Sequence, residues 1–349
     1  MADDTVTAAP EYNVSGADFA DRRHFHYAGP PLTDLHAHVT LTRPPVAREE
    51  RPPGEVGSIE QAELMLAVAR DFGVGQVWTM CAPEDIPPLR QRFGPLLRFI
   101  GPIARGKADE SDDAVFRRLD RFLAEGVEVL KFWAAPRGRD RGLFVDAPWR
   151  VEAAKRARAA GVRAVMVHVA DPDAWFRVAY ADVARYGTKA EQYPGLCRMI
   201  EEFPDLLWVG AHMGGDVEHP DHLEELLERY PHLYLDTSAT KWQVREASRR
   251  RDAVRELICR RPERFLFGSD LVTRHGLVRG HYESRYWCHR TLWESAWEGP
   301  SPIADPDWYP EDGEPAAPTL RGLHLPADVL RQVYHANAAR LFGSEEKRS

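Results

Sequence analysis

The chain has 349 residues, of which 44% are hydrophobic and 29% are charged, an ordinary composition for a globular enzyme with a buried core. Its formal net charge of −8 argues against a general nucleic-acid binder, because no excess of Lys and Arg is present to displace phosphate counterions. No apolar run approaches the roughly 20 residues that span a bilayer, and the acidic N-terminus lacks the apolar stretch of a secretory signal, so we expect a cytoplasmic protein without a membrane partner.

Eight short apolar runs alternate with amphipathic helical segments along the chain. The runs cover residues 33–39, 75–80, 97–103, 127–133, 163–169, 207–213, 233–238 and 264–270. Continuous apolar runs are typical of strands that are buried on both faces, as in parallel sheets. Eight such strands alternating with helices predict an α/β fold of the closed (β/α)8 type, the TIM barrel.

The rhythm of strands and helices also suggests the domain organisation. Residues 1–30 are interpreted as an N-terminal extension and residues 31–345 as the barrel, with an insertion at about 276–326. Two Pro-rich segments, residues 43–57 and 299–326, are expected to be loops at the C-terminal face of the barrel, although the composition of the second suits a disordered spacer equally well. The last helical pattern, residues 326–343, is expected to close the barrel against the first strand.

Polar residues occupy the ends of five of the predicted strands. They are His36, His38, Lys131, His168, His212 and Asp270. His36 and His38 lie two residues apart, so the pleat of a regular strand would point both imidazoles to the same side. The C-terminal ends of parallel barrel strands meet at one mouth, where imidazoles and a carboxylate suit Zn²⁺ and also Mn²⁺, Fe²⁺ or Co²⁺.

Seven segments of the sequence resemble a known enzyme family. They read DLHAHV, KFW, VMVHVAD, VGAHMGG, YLDTSATKW, FLFGSD and YHANAARLFG. Between residues 32 and 343 the chain resembles the amidohydrolase superfamily, specifically its amidohydrolase-2 branch, which includes the aminocarboxymuconate-semialdehyde and γ-resorcylate decarboxylases. The resemblance implies that His36, His38, His168 and Asp270 bind one divalent metal ion. It also implies that His212 and Asp270 are catalytic, acting on a metal-activated water.

Lys131 has three interpretations that the sequence leaves open. In one it contacts the substrate as a cation, and in another it is carboxylated and bridges two metal ions, which would raise the metal count from one to two. In the third its ammonium pairs with Asp236 as a structural element. Trp133 shares the face of Lys131 and is a second substrate-binding candidate, while Arg274 is a third because a guanidinium matches a carboxylate. Asp34 is expected to orient one of the ligand imidazoles.

Two reactions fit this constellation better than a scaffold without catalysis. Hydrolysis of a C–N or C–O bond in an amide, cyclic amide or lactone requires a metal-activated water and a base, which Asp270 and His212 supply. The alternative is non-oxidative decarboxylation of an aromatic or unsaturated acid held by the metal. We favour hydrolysis of a small anionic or aromatic substrate. A homo-oligomer is compatible with the sequence.

Overall fold

The computed structural model of the protein describes residues 12–41, 57–273, 277–305 and 317–343. The described strands are β1 (Leu32–His38), β2 (Val74–Met80), β3 (Leu97–Pro102), β4 (Val129–Trp133), β5 (Ala164–His168), β6 (Leu207–Gly210), β7 (Leu233–Asp236), β8 (Phe265–Leu266), β9 (Leu271–Val272), β10 (Glu298–Pro300) and β11 (Thr319–Arg321). The nine parallel strands follow the order β8-β7-β6-β5-β4-β3-β2-β1-β9, and β10 and β11 form a separate antiparallel pair.

The eighth predicted strand is divided into β8 and β9, and this segment closes the barrel. β8 pairs with β7 on one side, and β9 pairs with β1 on the other. Between them the Leu35 N–H donates to the Phe267 carbonyl at 2.8 Å, and the Asp270 N–H donates to the His36 carbonyl at 2.7 Å. The (β/α)8 barrel predicted from the alternating pattern is therefore confirmed.

The described helices surround the sheet or follow the last strand. They are α1 (Ile59–Asp71), α2 (Ile86–Phe93), α3 (Asp112–Ala124), α4 (Pro148–Ala159), α5 (Asp173–Arg177), α6 (Val183–Tyr186), α7 (Tyr193–Glu202), α8 (Pro220–Arg229), α9 (Trp242–Arg249), α10 (Arg251–Arg260), α11 (Arg279–Glu294), α12 (Ala327–Arg331) and α13 (Asn337–Phe342). The local sequence explains where α1 begins. It starts at a capping box in which the side chains of Ser58 and Gln61 each accept a hydrogen bond from the backbone N–H of the other residue. None of the helices in these ranges has both the length and the apolar character needed to cross a membrane.

Apolar side chains fill the barrel interior below the mouth. The interior cluster contains Leu35, Ile100, Val129, Met166, Val209 and Leu266. Leu341 and Phe342 of α13 complete it, and Arg163, which precedes β5, donates to the Leu341 carbonyl. The final helical segment thus plugs the N-terminal end of the barrel, and its central part also meets the eighth-strand segment, where the Phe267 N–H donates to the Val333 carbonyl at 3.0 Å. The C-terminal end of the barrel, where barrels of this type carry their active sites, is the end opposite to this plug.

The segment that follows β9 places a buried helix beside the first and last strands of the barrel. In α11, Tyr286 donates to Asp34 of β1 at 2.9 Å, and His289 contacts the carbonyl of Ser269 at 3.2 Å. The N-terminal segment packs on the same helix, because the His26 and Tyr27 N–H groups both donate to Glu294 at 3.0 Å. Of the two predicted Pro-rich loops, residues 43–56 and 306–316 lie outside the described ranges.

Candidate metal centre

A register shift in β1 directs two histidines into the barrel mouth. Asp34 pairs with Val77 of β2 and Ala37 pairs with Thr79, so three steps along β1 match two steps along β2. The extra residue inverts the alternation of side chains along the strand. Leu35 therefore packs in the interior cluster although the next residue, His36, faces the mouth. His36 and His38 both face the site, and their ring centroids are 5.5 Å apart.

Asp270 joins these two imidazoles across the closure of the barrel. Its Oδ1 lies 3.0 Å from His38 Nε2 and 3.4 Å from His36 Nε2, and the ligand atoms of the three residues all lie within 4.8 Å of one another. Asp270 has a φ of 56°, in the left-handed region that costs a non-glycine residue roughly 1–2 kcal/mol. Burial alone would raise the pKa of its carboxyl, but the hydrogen bond from His38 and the nearby imidazoles hold that pKa well below its ordinary value.

Asp236, at the end of β7, holds His36 from behind. Its Oδ2 accepts a hydrogen bond from His36 Nδ1 at 2.8 Å, and its Oδ1 accepts from the His212 N–H at 2.8 Å and the Ser238 N–H at 3.0 Å. Burial opposes ionisation, yet the contact with His36 keeps the pKa of Asp236 below its ordinary value. A carboxylate that binds the far nitrogen of an imidazole orients the near nitrogen toward a metal ion.

His212 follows β6 and lies against His36. The two ring centroids are 4.9 Å apart, and His212 adopts a left-handed backbone conformation with a φ of 56°. Its Nδ1 is 2.8 Å from the hydroxyl of Ser238, and this hydroxyl also contacts Asp236 and, at 3.1 Å, His36 Nδ1. Ser238 and the orienting role of Asp236 were not predicted from the sequence, in which the signal was a spacing of two between polar residues at the end of the seventh apolar run.

His168 reaches the mouth at the end of β5 but does not join the group of His36, His38 and Asp270. Its ring centroid lies 4.8 Å from that of His212, and its Nε2 donates to Asp171 at 2.9 Å. Asp171 is held in turn by the hydroxyl of Tyr180 at 2.7 Å. Because Nε2 is occupied by a carboxylate, Nδ1 is the atom of His168 that remains for a ligand.

Lys131 is buried in the mouth without a hydrogen-bond partner for its ammonium within the described part of the chain. Only 5% of the residue is exposed, and burial lowers its pKa to about 8 even though Asp236 and Asp270 act in the opposite direction. The structure shows no hydrogen bond between Lys131 and Asp236, whose oxygens accept from His36, Ser238 and the backbone of His212, so Asp236 acts on the ammonium only through its charge. A buried ammonium that lacks a hydrogen-bond acceptor indicates that a bound ligand provides the acceptor.

Two tryptophans stand beside the histidines. Trp133 is half-buried, and its ring lies 6.2 Å from that of His168. Trp242 is buried, with its ring 5.7 Å from that of His212. Arg274, the predicted carboxylate-binding residue, lies outside the described residues.

Asp34 does not orient an imidazole, which corrects the expectation from its spacing to His36. Its carboxylate accepts from the Ser269 hydroxyl at 2.6 Å and from Tyr286 at 2.9 Å, and it meets only the backbone N–H of His36. The register shift between Asp34 and Ala37 places it on the other side of the sheet. Burial raises its pKa to about 6, and its bonds tie β1 to the turn that precedes Asp270.

A further group of potential metal ligands surrounds the ammonium of a lysine. Asp173, Asp216 and His219 place ligand atoms within 4.8 Å of one another. The ammonium of Lys189 sits among the carboxylates, 2.8 Å from Asp173 and 2.9 Å from both Asp216 and Glu218. A lysine thus provides the cation, and the group joins the loops that follow β5 and β6.

The donors in the mouth fit a divalent metal ion. His36 and His38 present Nε2 atoms to the same carboxylate oxygen of Asp270, and the other nitrogen of His36 is held by Asp236. Burial lowers the pKa of His36 and of His212 below the ordinary value, which favours the neutral imidazole that a metal ligand such as His36 must be. The imidazoles of His36 and His38 and the carboxylate of Asp270 match the ligands that Zn²⁺ and similar ions take. The ring of His168 lies beside that of His212 in the same mouth.

A family model described as Amidohydrolase matches residues 33–344 of the chain. No curated protein matches the chain at a significant level. The match includes every predicted site residue that the sequence places at a strand end.

Solved structures match most of the chain at low sequence identity. An uncharacterized TIM-barrel protein from Bordetella bronchiseptica has a TM-score of 0.51 and 14% identity, and the match covers 89% of this chain and 98% of that one. A probable 2-pyrone-4,6-dicarboxylic acid hydrolase from Acinetobacter baumannii has a TM-score of 0.51 and 10% identity, over 90% and 99%. A 4-oxalomesaconate hydratase from Rhodopseudomonas palustris has a TM-score of 0.50 and 14% identity, over 89% and 95%. These similarities show the barrel fold.

Proposed function

Since this chain belongs to the amidohydrolase-2 branch of the amidohydrolase superfamily, we propose that it is a metal-dependent hydrolase of a small anionic or aromatic substrate. The bond cleaved is a C–N or C–O bond, as in an amide, a cyclic amide or a lactone. The observation that carries the proposal is the contact of one Asp270 oxygen with Nε2 of both His36 and His38, 3.4 and 3.0 Å away. Asp270, the proposed base, is thereby in contact with the two histidines that are proposed to bind the metal ion with it.

Each residue of the mouth has a defined task in this proposal. His36, His38 and Asp270 would hold the ion, and His168, whose Nε2 is bound to Asp171, would contribute Nδ1. When bound, the divalent ion lowers the pKa of water toward ~7 and polarises a carbonyl group of the substrate. Asp270 accepts the proton that the attacking water releases and passes it to the leaving nitrogen or oxygen.

Substrate contacts come from the other side chains of the mouth. The Lys131 ammonium, which lacks a hydrogen-bond partner in the described chain, binds an anionic group of the substrate. The half-buried ring of Trp133, beside His168, forms an apolar wall against which an aromatic or unsaturated substrate packs. Arg274 remains a predicted carboxylate contact. One metal ion per chain is proposed, because the motifs of the chain match the amidohydrolase-2 branch, and Lys131 would then be a substrate contact and not a bridging carbamate.

The test is a substrate screen with the zinc-loaded protein. A panel of amides, lactones and aromatic acids is assayed in parallel for acid release and for carbon dioxide release, with Asp270→Asn as the inactive control. We expect acid release that depends on the metal and on Asp270. Carbon dioxide release without acid release would replace hydrolysis by decarboxylation, and neither product from any class would refute the proposal.

A further inference from the structure

Ser238 stands at the centre of a closed set of hydrogen bonds behind the two histidines. Its hydroxyl contacts Asp236 Oδ1, His212 Nδ1 at 2.8 Å and His36 Nδ1 at 3.1 Å. The Asp236 Oδ2 atom contacts His36 Nδ1 at 2.8 Å. All four residues are buried, with exposed fractions of 4% or less, so each polar atom must be satisfied within the protein.

The positions of the protons follow from what each group can donate. An ionised carboxylate only accepts hydrogen bonds, and Asp236 Oδ1 already accepts from the N–H groups of His212 and Ser238. The hydroxyl of Ser238 has one proton, which it must donate to Asp236 Oδ1, since two oxygens with only lone pairs would repel each other at contact distance. His36 likewise donates its Nδ1 proton to Asp236 Oδ2.

Only lone pairs of the Ser238 oxygen are then left to face the histidines. His212 Nδ1 must therefore be the donor in its contact with this oxygen, which requires a proton on Nδ1. A neutral imidazole has a single ring proton, so His212 Nε2 has a free lone pair. That atom lies on the side of the ring opposite to Ser238.

We propose that Ser238 is a positioning residue that fixes His212 in the Nδ1-protonated form, so that Nε2 is an acceptor toward the barrel mouth. In this form His212 accepts a hydrogen bond from the attacking water and leaves the metal ligands undisturbed. The catalytic consequence rests on the proposed function, whereas the location of the proton does not. Asp236 thus orients His36 directly and His212 through the Ser238 hydroxyl.

The first measurement reads the tautomer without a kinetic assay. The full chain is labelled with ¹⁵N-histidine and purified with its metal, and two-bond ¹H–¹⁵N correlations distinguish a proton on Nδ1 from one on Nε2. The His212 signals are assigned by their loss in His212→Gln. We expect a protonated Nδ1 and an unprotonated Nε2 in the wild-type chain. A proton on Nε2 would overturn the inference whether or not the protein proves to be a hydrolase.

The second measurement removes the hydroxyl. Ser238→Ala should populate both tautomers of His212 and lower kcat by roughly 10- to 100-fold, the range seen when a residue that orients an active-site ligand is lost, while metal content and KM stay close to wild type. Ser238→Thr keeps the hydroxyl and should recover most of kcat. A wild-type tautomer or a wild-type kcat in Ser238→Ala would overturn the inference.

A matched control separates this effect from the general cost of losing a buried hydroxyl. Ser248 is also buried, accepts one backbone hydrogen bond from Arg321 at 2.9 Å and lies near the C-terminal end of α9. Ser248→Ala should lower the melting temperature to a similar extent without a change in kcat. If Ser238→Ala does not fold, as judged by circular dichroism, the inference is tested by the His212 tautomer in the wild-type spectrum and by the kcat of Ser238→Thr.

Discussion

Replacing Asp236 by Asn tests whether the carboxylate behind His36 prepares this histidine for a metal ion. One oxygen of Asp236 accepts three hydrogen bonds, from the N–H groups of His212 and Ser238 and from the Ser238 hydroxyl, and the other accepts one, from His36. Asn has a single acceptor oxygen. The three donors on one side require it there, so the amide NH₂ must face His36 Nδ1.

His36 can respond in two ways, and both weaken metal binding. In the first, the proton stays on Nδ1 of His36 and is repelled by the amide protons of Asn, which face it. In the second, the proton moves to Nε2 and removes the lone pair that a metal ion needs. Loss of such an orienting partner typically lowers metal affinity by roughly 10- to 100-fold, which corresponds to about 1.4–2.7 kcal/mol. The buried NH₂ also lacks an acceptor, so we expect the free energy of unfolding of the metal-free protein to fall by about 1–3 kcal/mol.

Competition with a chromophoric zinc chelator measures the affinity, and urea unfolding of the metal-free protein measures the stability. Asp205→Asn is the matched control, because Asp205 is an exposed aspartate paired with Arg158 at 2.7 Å on the surface. The control should change neither quantity appreciably. A zinc affinity of Asp236→Asn within twofold of the wild-type value would refute the orienting role of Asp236.

Three further predictions concern the residues of the mouth and the metal itself. Asp270→Asn and His212→Ala should both abolish turnover in steady-state assays, and metal analysis should show weakened retention only for the first; near-normal kcat in either variant would contradict its assigned role. Lys131→Ala should keep one metal per chain while kcat/KM falls by roughly 10- to 100-fold through the loss of a charged hydrogen bond, whereas a fall from two metals to one would identify a bridging carbamate. Dialysis against a chelator should remove activity, and Zn²⁺ or Mn²⁺ should restore it; full activity in protein shown to be metal-free would contradict metal dependence.

The fold could be predicted because its signal is local and repeated. Strands buried on both faces must be continuously apolar, and each of the eight apolar runs contains strand residues in the structure. The ends of parallel strands converge by topology, so the polar residues at those ends were expected at one mouth. His36, His38 and Asp270 do meet there, with His212 beside them, because barrel closure brings the first, sixth and eighth strands together.

The details of the site depended on contacts that spacing does not encode. The extra residue in β1 reversed the face of Asp34, and the left-handed turn at Asp270 divided the eighth strand. Lys131 makes no hydrogen bond to Asp236, whose oxygens accept from His36, Ser238 and the backbone of His212. A period of two describes a regular strand, whereas bulges and turns are stabilised by neighbours far away in the chain.

The amino-acid sequence by itself therefore determined which segments form the strands of the barrel and which residue types lie at its mouth. Tertiary structure alone decided which nitrogen of each histidine is available. His168 has Nε2 bound to Asp171, while His36 and His212 have Nδ1 held by Asp236 and Ser238. Asp236 lies 200 residues from His36 in sequence, and the closed barrel brings their hydrogen-bonding atoms to 2.8 Å.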